Sequence, residues 1–329
     1  CVRGHCLCRR GRGRRGRTGR PTSRPAWRIA TLTRVSATPP MSWSVSRQGH
    51  FLTSHLGEWS VMVDHSESLD KVLVIIPTYN EAENIESIVE RLRQAVPQAD
   101  ALIADDNSPD GTGDIADRLA ADDDHIHVLH RAGKQGLAAA YVAGFRWGLE
   151  RGYDVLVEMD ADGSHQPQFL PSMLNALRDA DMVKGSRWMP GGEVVDYDKK
   201  REWLSRLANI WVQASMNIPV RDTTGGFNAF RASALRKMNL DTIASKGYTF
   251  QIDLTRRVLD DGGIVREVPI SFPDREKGES KMSGSIIGEA LLRTTQWGAQ
   301  RRGAQVAQFA REAADRVEPL VDRVKDKLD

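Results

Sequence analysis

Beyond residue 8 the chain contains no cysteine; Cys1, Cys6 and Cys8 are the only three. The rest of the sequence therefore has no disulfide framework, and a reducing cytosol is compatible with it. Acid is missing from the first 40 residues, which carry eleven Arg and no Lys. With that head set aside, 35 basic residues face 44 acidic ones, so the body carries about −9 where the whole chain shows +2. A folded part of that sign argues against a nucleic-acid binder. Long apolar runs are missing too. The longest uncharged, apolar-leaning run, 207–220, contains Asn209, Gln213, Asn217 and Pro219, and it falls short of the roughly 18 apolar residues that span a bilayer. The protein is expected to be soluble or to lie on a membrane surface, not to cross it.

A length of 329 residues accommodates one large domain or two small ones. Residues 1–65 are dominated by Arg, Gly, Pro, Ser and Thr and keep no helical or strand period, so they are expected to be a disordered extension or an over-extended translation start. Met41 and Met62 are candidate true starts. An RNA-binding arm or a targeting peptide is the functional alternative for this head.

From Lys71 the pattern changes. Residues 72–76 form a continuous β-branched apolar run, as in a buried parallel strand. Ile85, Ile88, Val89 and Leu92 fall at helical spacing. Strands are expected at 101–104, 126–129 and 154–159, with helices at 112–121 and 137–151 between them. This alternation predicts a mostly parallel α/β sheet covered by helices. Further on come a helix at 170–180, a strand at 181–187, and a basic, Gly-containing loop through Arg201. An amphipathic helix carrying Trp203, Leu204, Leu207, Ile210 and Trp211 follows, then a loop at Thr224–Phe227. A helix at 250–260, a strand at 265–272 and two helical stretches from Ser283 complete the reading. Residues 71–282 are thus read as the catalytic domain and 283–329 as a helical tail.

In parallel sheets ligands sit at the carboxyl ends of the strands. Pro77-Thr78-Tyr79-Asn80, Asp105-Asp106 and Asp160-Ala161-Asp162 all fall at such ends and are expected to share one cleft. Two carboxylates one residue apart after a buried strand are costly unless a cation lies between them. A divalent metal carrying a diphosphate is the expected partner, with Asp162 as first ligand, Asp160 as second and Ser164 adding an oxygen. Asp-Gly is also common in plain turns. Asp105 and Asp106 can accept hydrogen bonds from a base edge, or Ser108, Asp110 and Thr112 can serve only to cap the next helix. Tyr79 offers a stacking face and Glu81 a ribose acceptor. Downstream lie Arg187, Lys199, Lys200, Arg201, Arg206, Arg275, Lys277 and Lys281, and Arg forks suit phosphate oxygens. Their grouping beside Trp203, Trp211 and an apolar face points to a phosphorylated lipid.

The separated motifs at 76–81, 105–112, 159–165, 185–187, 245–251, 268–272, 274–275 and 278–281 together resemble the dolichyl/polyprenol-phosphate mannosyltransferases of glycosyltransferase family 2, over about residues 71–300. The resemblance implies a Rossmann-like GT-A fold, GDP-mannose as donor, a polyprenyl phosphate as acceptor and Mg2+ or Mn2+ as cofactor. It implies nucleotide contacts from Pro77, Tyr79, Glu81, Ile103 and Asp105, and metal and diphosphate handling by Asp160, Ala161, Asp162 and Ser164. Arg187, Arg275 and Lys281 match positions that bind donor phosphates or acceptor. Arg201 and Arg206 are candidates for the acceptor phosphate, and Asp160, Asp162, Arg187 and Lys281 for catalysis. An ionised phosphate acceptor needs no strong general base, so inverting transfer by positioning and charge neutralisation is expected. The expected location is the cytoplasmic face of a membrane, held peripherally or by a membrane partner. A UDP-sugar (glucosyl) transferase to the same lipid is the alternative. One departure from the family is Asn228, where Arg often follows Thr-Gly-x-Phe; Arg231 comes three residues later.

Overall fold

In a computed structural model, residues 69–196, 198–243, 247–273 and 291–303 are described. The Arg-rich head lies outside them, as do Arg275, Lys277, Lys281 and the tail from residue 304. Of the tail, residues 291–303 are helical.

The first half alternates strictly. Strands β1 (Val72–Thr78), β2 (Asp100–Asp105), β3 (Ile126–His130) and β4 (Val155–Glu158) are separated by helices α1 (Ile85–Ala95), α2 (Thr112–Asp122) and α3 (Leu137–Glu150). α4 (Leu170–Ala176) leads into β5 (Met182–Ser186). A short strand, β6 (Glu193–Val195), precedes α5 (Lys199–Met216), β7 (Asn228–Arg231), α6 (Ala232–Lys237), α7 (Tyr248–Asp260), β8 (Val265–Pro269) and β9 (Ser271–Pro273).

Among the described residues, seven strands form one sheet in the order β3-β2-β1-β4-β7-β5-β8. All neighbouring pairs in it are parallel except those of β7, which runs antiparallel to β4 and β5. Alternate side chains of each strand enter opposite layers. Val72, Val74 and Ile76 of β1 pack with α1 on one face, whereas Leu73 and Ile75 pack with Tyr141 and Phe145 of α3 on the other. Two glycines let α3 approach that closely: a Cβ on Gly144 would lie 2.5 Å from Ile75 Cγ2, and one on Gly148 would lie 2.6 Å from Leu156 Cδ2.

Two expectations are corrected and one strand is added. The basic loop ends at Asp198, whose carboxylate accepts from the Lys200 amide and caps α5. Lys199, Lys200 and Arg201 therefore form the first helical turn. The strand expected over 265–272 is broken at Ile270, so that β9 leaves the main sheet and pairs with β6. β7 has no apolar alternation and went unpredicted; all four of its residues are buried, two of them polar.

Chain order fixes the place of the cleft. Strands β1, β2 and β3 run outward in one direction, and β4 lies on the other side of β1. The switch point is therefore between β1 and β4, where crevices open at strand carboxyl ends.

Candidate active site

β1 and β2 end side by side, with Thr78 paired in register to Asp105. Asp105 is buried. Its Oδ1 accepts from Thr78 Oγ1 at 2.9 Å and from Ser108 Oγ at 2.6 Å, and its Oδ2 accepts from the Ser108 amide at 3.0 Å. A carboxylate offers about four lone-pair sites, so Oδ2 retains room for one more donor such as a base edge. Asp106, also buried, takes a different partner: Arg131 Nη1, with the Gln135 amide donating to its other oxygen at 3.3 Å. The N-cap of α2 is Gly111, with no side-chain cap; Asp110, just before it, accepts from the amide and hydroxyl of Thr112 and from the Ala82 amide. Asp105 and Asp106 thus face different partners, and the turn before α2 is tied by a third carboxylate.

After β1 the chain turns through Asn80 at φ +62°, and the amides of Asn80 and Glu81 donate to Ser108 Oγ and Thr112 Oγ1. Pro77, Tyr79 and Glu81 are half-buried at this edge. Glu81 accepts from Asn84 Nδ2 at 2.8 Å. One face of Tyr79 is covered by Lys134 Nζ, 3.7 Å from the ring centroid. Ile103 is fully buried in the core, so its side chain presents no surface to a nucleotide here.

The loop after β4 is held on both sides. Tyr141 of α3 donates its hydroxyl to Asp160 Oδ1 at 2.7 Å. Burial and the Asp160 carboxylate push the phenol far above its ordinary range, so it stays a donor. The Asp160 amide donates to His165 Nδ1 at 2.8 Å, which puts the neutral ring's proton on Nε2. His165 stacks on Phe227 at 5.0 Å and 11°. Gly163 takes φ +80°, a left-handed bend. It lets Ser164 turn back, and the Ser164 amide and hydroxyl donate to Asp162 Oδ1 at 3.1 and 2.5 Å.

The donor set of Asp160, Asp162 and Ser164 is all oxygen, which suits a hard divalent cation such as Mg2+ or Mn2+. Among the described residues no three His, Cys, Asp or Glu side chains form a closed metal cage. The arrangement fits an ion that completes its shell with water and phosphate oxygens, and it fits less well an ion enclosed by protein.

Behind this loop lies a buried polar cluster absent from the sequence reading. Glu158, Lys184 and Asn228 have no exposed surface. Asn228 Nδ2 donates to Glu158 Oε2 and to Gln251 Oε1, each at 2.7 Å, and its Oδ1 accepts from Lys184 Nζ at 2.7 Å. Burial raises the Glu158 carboxyl and lowers the Lys184 ammonium, each to about 8. Asn228 is therefore a hub of the interior, not a ligand contact. Arg231 points away from the cleft and donates to the carbonyls of Leu177, Arg178 and Ala180.

Arg187 follows β5 and is buried against Asp222, to which its amide, Nε and Nη2 donate at 3.0, 2.7 and 2.7 Å. Its guanidinium also lies 5.1 Å from Phe272 and 5.2 Å from Trp188. Arg206 covers Trp188 at 4.2 Å and donates to Glu202. Phe272 lies 5.8 Å from His165, so one chain of ring contacts joins Arg206, Trp188, Arg187 and Phe272 to the Asp160 loop. Arg201 lies half-buried in the first turn of α5. Asp222, Tyr141, His165, Arg131 and Lys134 were not singled out from the sequence, because each takes its place through a partner distant in the chain or through the loop that carries it.

Comparison with known proteins gives this geometry a family. Residues 73–238 match the model of "Glycosyl transferase family 2". The undecaprenyl-phosphate mannosyltransferase of Micrococcus luteus is 55% identical over 232 residues, covering 70% of this chain and 96% of that protein. The polyprenol monophosphomannose synthase of Mycolicibacterium smegmatis is 52% identical over 234 residues, covering 70% of this chain and 88% of that one. Among solved structures, glucosyl-3-phosphoglycerate synthase from Mycobacterium tuberculosis, in complex with Mn2+, UDP-glucose and phosphoglyceric acid, superposes with TM-score 0.53 at 19% identity, over 69% of this chain and 80% of that one. That likeness establishes the GT-A fold. The chain belongs to glycosyl transferase family 2, among its polyprenyl-phosphate mannosyltransferases.

Proposed function

We propose that this chain transfers mannose from GDP-mannose to a polyprenyl phosphate, with inversion, giving a β-mannosyl phosphoryl polyprenol that serves as a lipid-linked mannose donor. The observation that carries the reading is the Asp160-Ala161-Asp162 loop at the sheet's switch point, braced by Tyr141 and His165. The names of relatives above 50% identity support it.

Asp160, Asp162 and Ser164 would hold Mg2+ or Mn2+, which when bound neutralises the leaving diphosphate. Asp105 and Tyr79 receive the base at the β1–β2 edge, with Glu81 beside the ribose. The acceptor phosphate is ionised at neutral pH, so no residue needs to take its proton. The chain's own task is positioning and fixed charge. Arg187, set by Asp222, provides a preorganised field facing the donor, and Arg275 and Lys281 are assigned to the phosphates with it. Arg201 and Arg206 are assigned to the incoming phosphate.

α5 supports a lipid acceptor. Trp203, Leu204, Leu207, Ile210 and Trp211 are exposed on it, next to Lys199, Lys200 and Arg201. An apolar stripe with Trp and a cationic end is the pattern of a helix lying in a membrane interface. Among the described residues no helix is long and apolar enough to cross a bilayer. We assign the enzyme to the membrane surface on its cytoplasmic face, attached peripherally or through a partner.

The test is transfer of radiolabelled mannose from GDP-mannose to a panel of polyprenyl phosphates, with UDP-glucose run in parallel. Mannosyl lipid formed only with divalent metal is the expected product. Glucosyl lipid from UDP-glucose, with none from GDP-mannose, would overturn the donor assignment.

A further inference from the structure

The carboxyl edge of the sheet gathers Glu81, Asp105, Asp106, Asp160 and Asp162, and a bound nucleoside diphosphate would add further negative charge. The cations that the fold brings there are mostly spoken for. Arg131 is paired with Asp106, Arg187 with Asp222 and Arg206 with Glu202. Lys184 is buried beneath the site on Asn228 and the Gly225 carbonyl.

Lys134 is different. It lies on the loop between β3 and α3, and its side chain is exposed. Among the described residues it has no hydrogen bond or ion pair; its contact is the face of Tyr79. The loop that carries it is well fixed. The Arg131 amide donates to the Asp105 carbonyl at 2.8 Å, Arg131 Nη1 and the Gln135 amide both reach the Asp106 carboxylate, and Arg131 Nη2 reaches Gln135 Oε1. A pinned loop thus presents a flexible ammonium directly over the nucleotide edge.

We propose that Lys134 is a donor-binding residue that exchanges the Tyr79 face for the diphosphate of the sugar nucleotide. A cation–π contact at an exposed site is weak, whereas an ammonium–phosphate hydrogen bond is charge-assisted. The exchange frees a face of Tyr79 for the base in the same movement, so base and diphosphate binding are coupled through one side chain. This inference rests on the donor reading given above.

The test is calorimetric titration of the full chain with GDP, GMP and guanosine, in Mg2+, for wild type, Lys134→Met and Lys134→Arg. Lys134→Met is expected to weaken GDP binding about 10- to 100-fold, to weaken GMP less, and to leave guanosine within about twofold; Lys134→Arg should recover most of the loss. Unchanged GDP affinity in Lys134→Met would overturn the proposal. So would an equal loss for guanosine, because Lys134 would then act only on the Tyr79 ring. Wild type that binds UDP in place of GDP would count against the guanine assignment alone, and the same three-way comparison with UDP, UMP and uridine would still decide the role of Lys134.

Discussion

Arg187→Met is a sharp probe of what this arginine does. In the sequence it reads as a phosphate fork; in the fold it is half of a buried pair whose partner, Asp222, has no exposed surface. The substitution removes two of the three hydrogen bonds that Arg187 gives to Asp222 and leaves the backbone amide. Stranding one member of a buried ion pair costs about 3–5 kcal/mol. For a domain of this size each kcal/mol moves the melting temperature by about 2–4 °C, so Tm is expected to fall by roughly 6–20 °C. Calorimetry at pH 7.5 reads the shift. The pH dependence carries a sign. The Asp222 carboxyl, though penalised by burial, is held below its ordinary 3.8 by the Arg187 guanidinium. In wild type its contribution is therefore present above 3.8 and is lost as pH falls below that value. In the variant the unpaired buried carboxyl moves up, so acidification relieves the strain and the Tm gap narrows toward pH 4. Arg187→Met/Asp222→Asn, which also removes the stranded charge, should regain a large part of the loss. A variant that melts with wild type while binding GDP poorly would refute this account, because the guanidinium would then serve ligand and not Asp222.

Two further outcomes follow from the same contacts. Tyr141→Phe deletes the hydroxyl that holds Asp160 Oδ1; stability should drop by no more than about 1.5 kcal/mol, while turnover falls about 10-fold if Asp160 ligates the metal as proposed, because its carboxylate is left unsteered. Trp203→Ser/Trp211→Ser alters only the exposed face of α5; Tm should stay within about 2 °C, whereas sedimentation with anionic vesicles should be lost and transfer to a short, water-soluble isoprenyl phosphate retained.

The parallel half of the fold was legible because its signals are local. Residues 72–76 announce a buried strand, and Ile85, Ile88, Val89 and Leu92 announce the helix beside it. The strand-end motifs at 77–81, 105–106 and 160–162 were legible for the same reason, since topology alone sends strand ends to one edge. The rest depends on partners distant in sequence. β7 reads Asn-Ala-Phe-Arg, and its place in the sheet rests on distant partners: its ladders to β4 and β5, Asn228 on Glu158 and Lys184, and Arg231 on carbonyls about fifty residues upstream. The break at Ile270 that sends β9 to β6 has no local mark. Arg187 and Asp222 lie 35 residues apart, and no spacing rule turns a phosphate fork into a buried pair. Tyr141 sits in an Ala-rich helix where it reads as core, yet its hydroxyl points at Asp160. Lys134 reads as a solvated charge until the fold lays it on Tyr79.

The measurement that bears most directly on the central claim compares wild type with Asp162→Ala for mannose transfer from GDP-mannose to polyprenyl phosphate, each with Mg2+, with Mn2+ and with chelator. Asp162 is buried and accepts from the Ser164 amide and hydroxyl, so thermal melting of the variant is recorded beside its activity. Metal-dependent transfer in wild type, absent from a folded Asp162→Ala, is the predicted result. Near-normal transfer by that variant, or wild-type transfer indifferent to chelator, would contradict it.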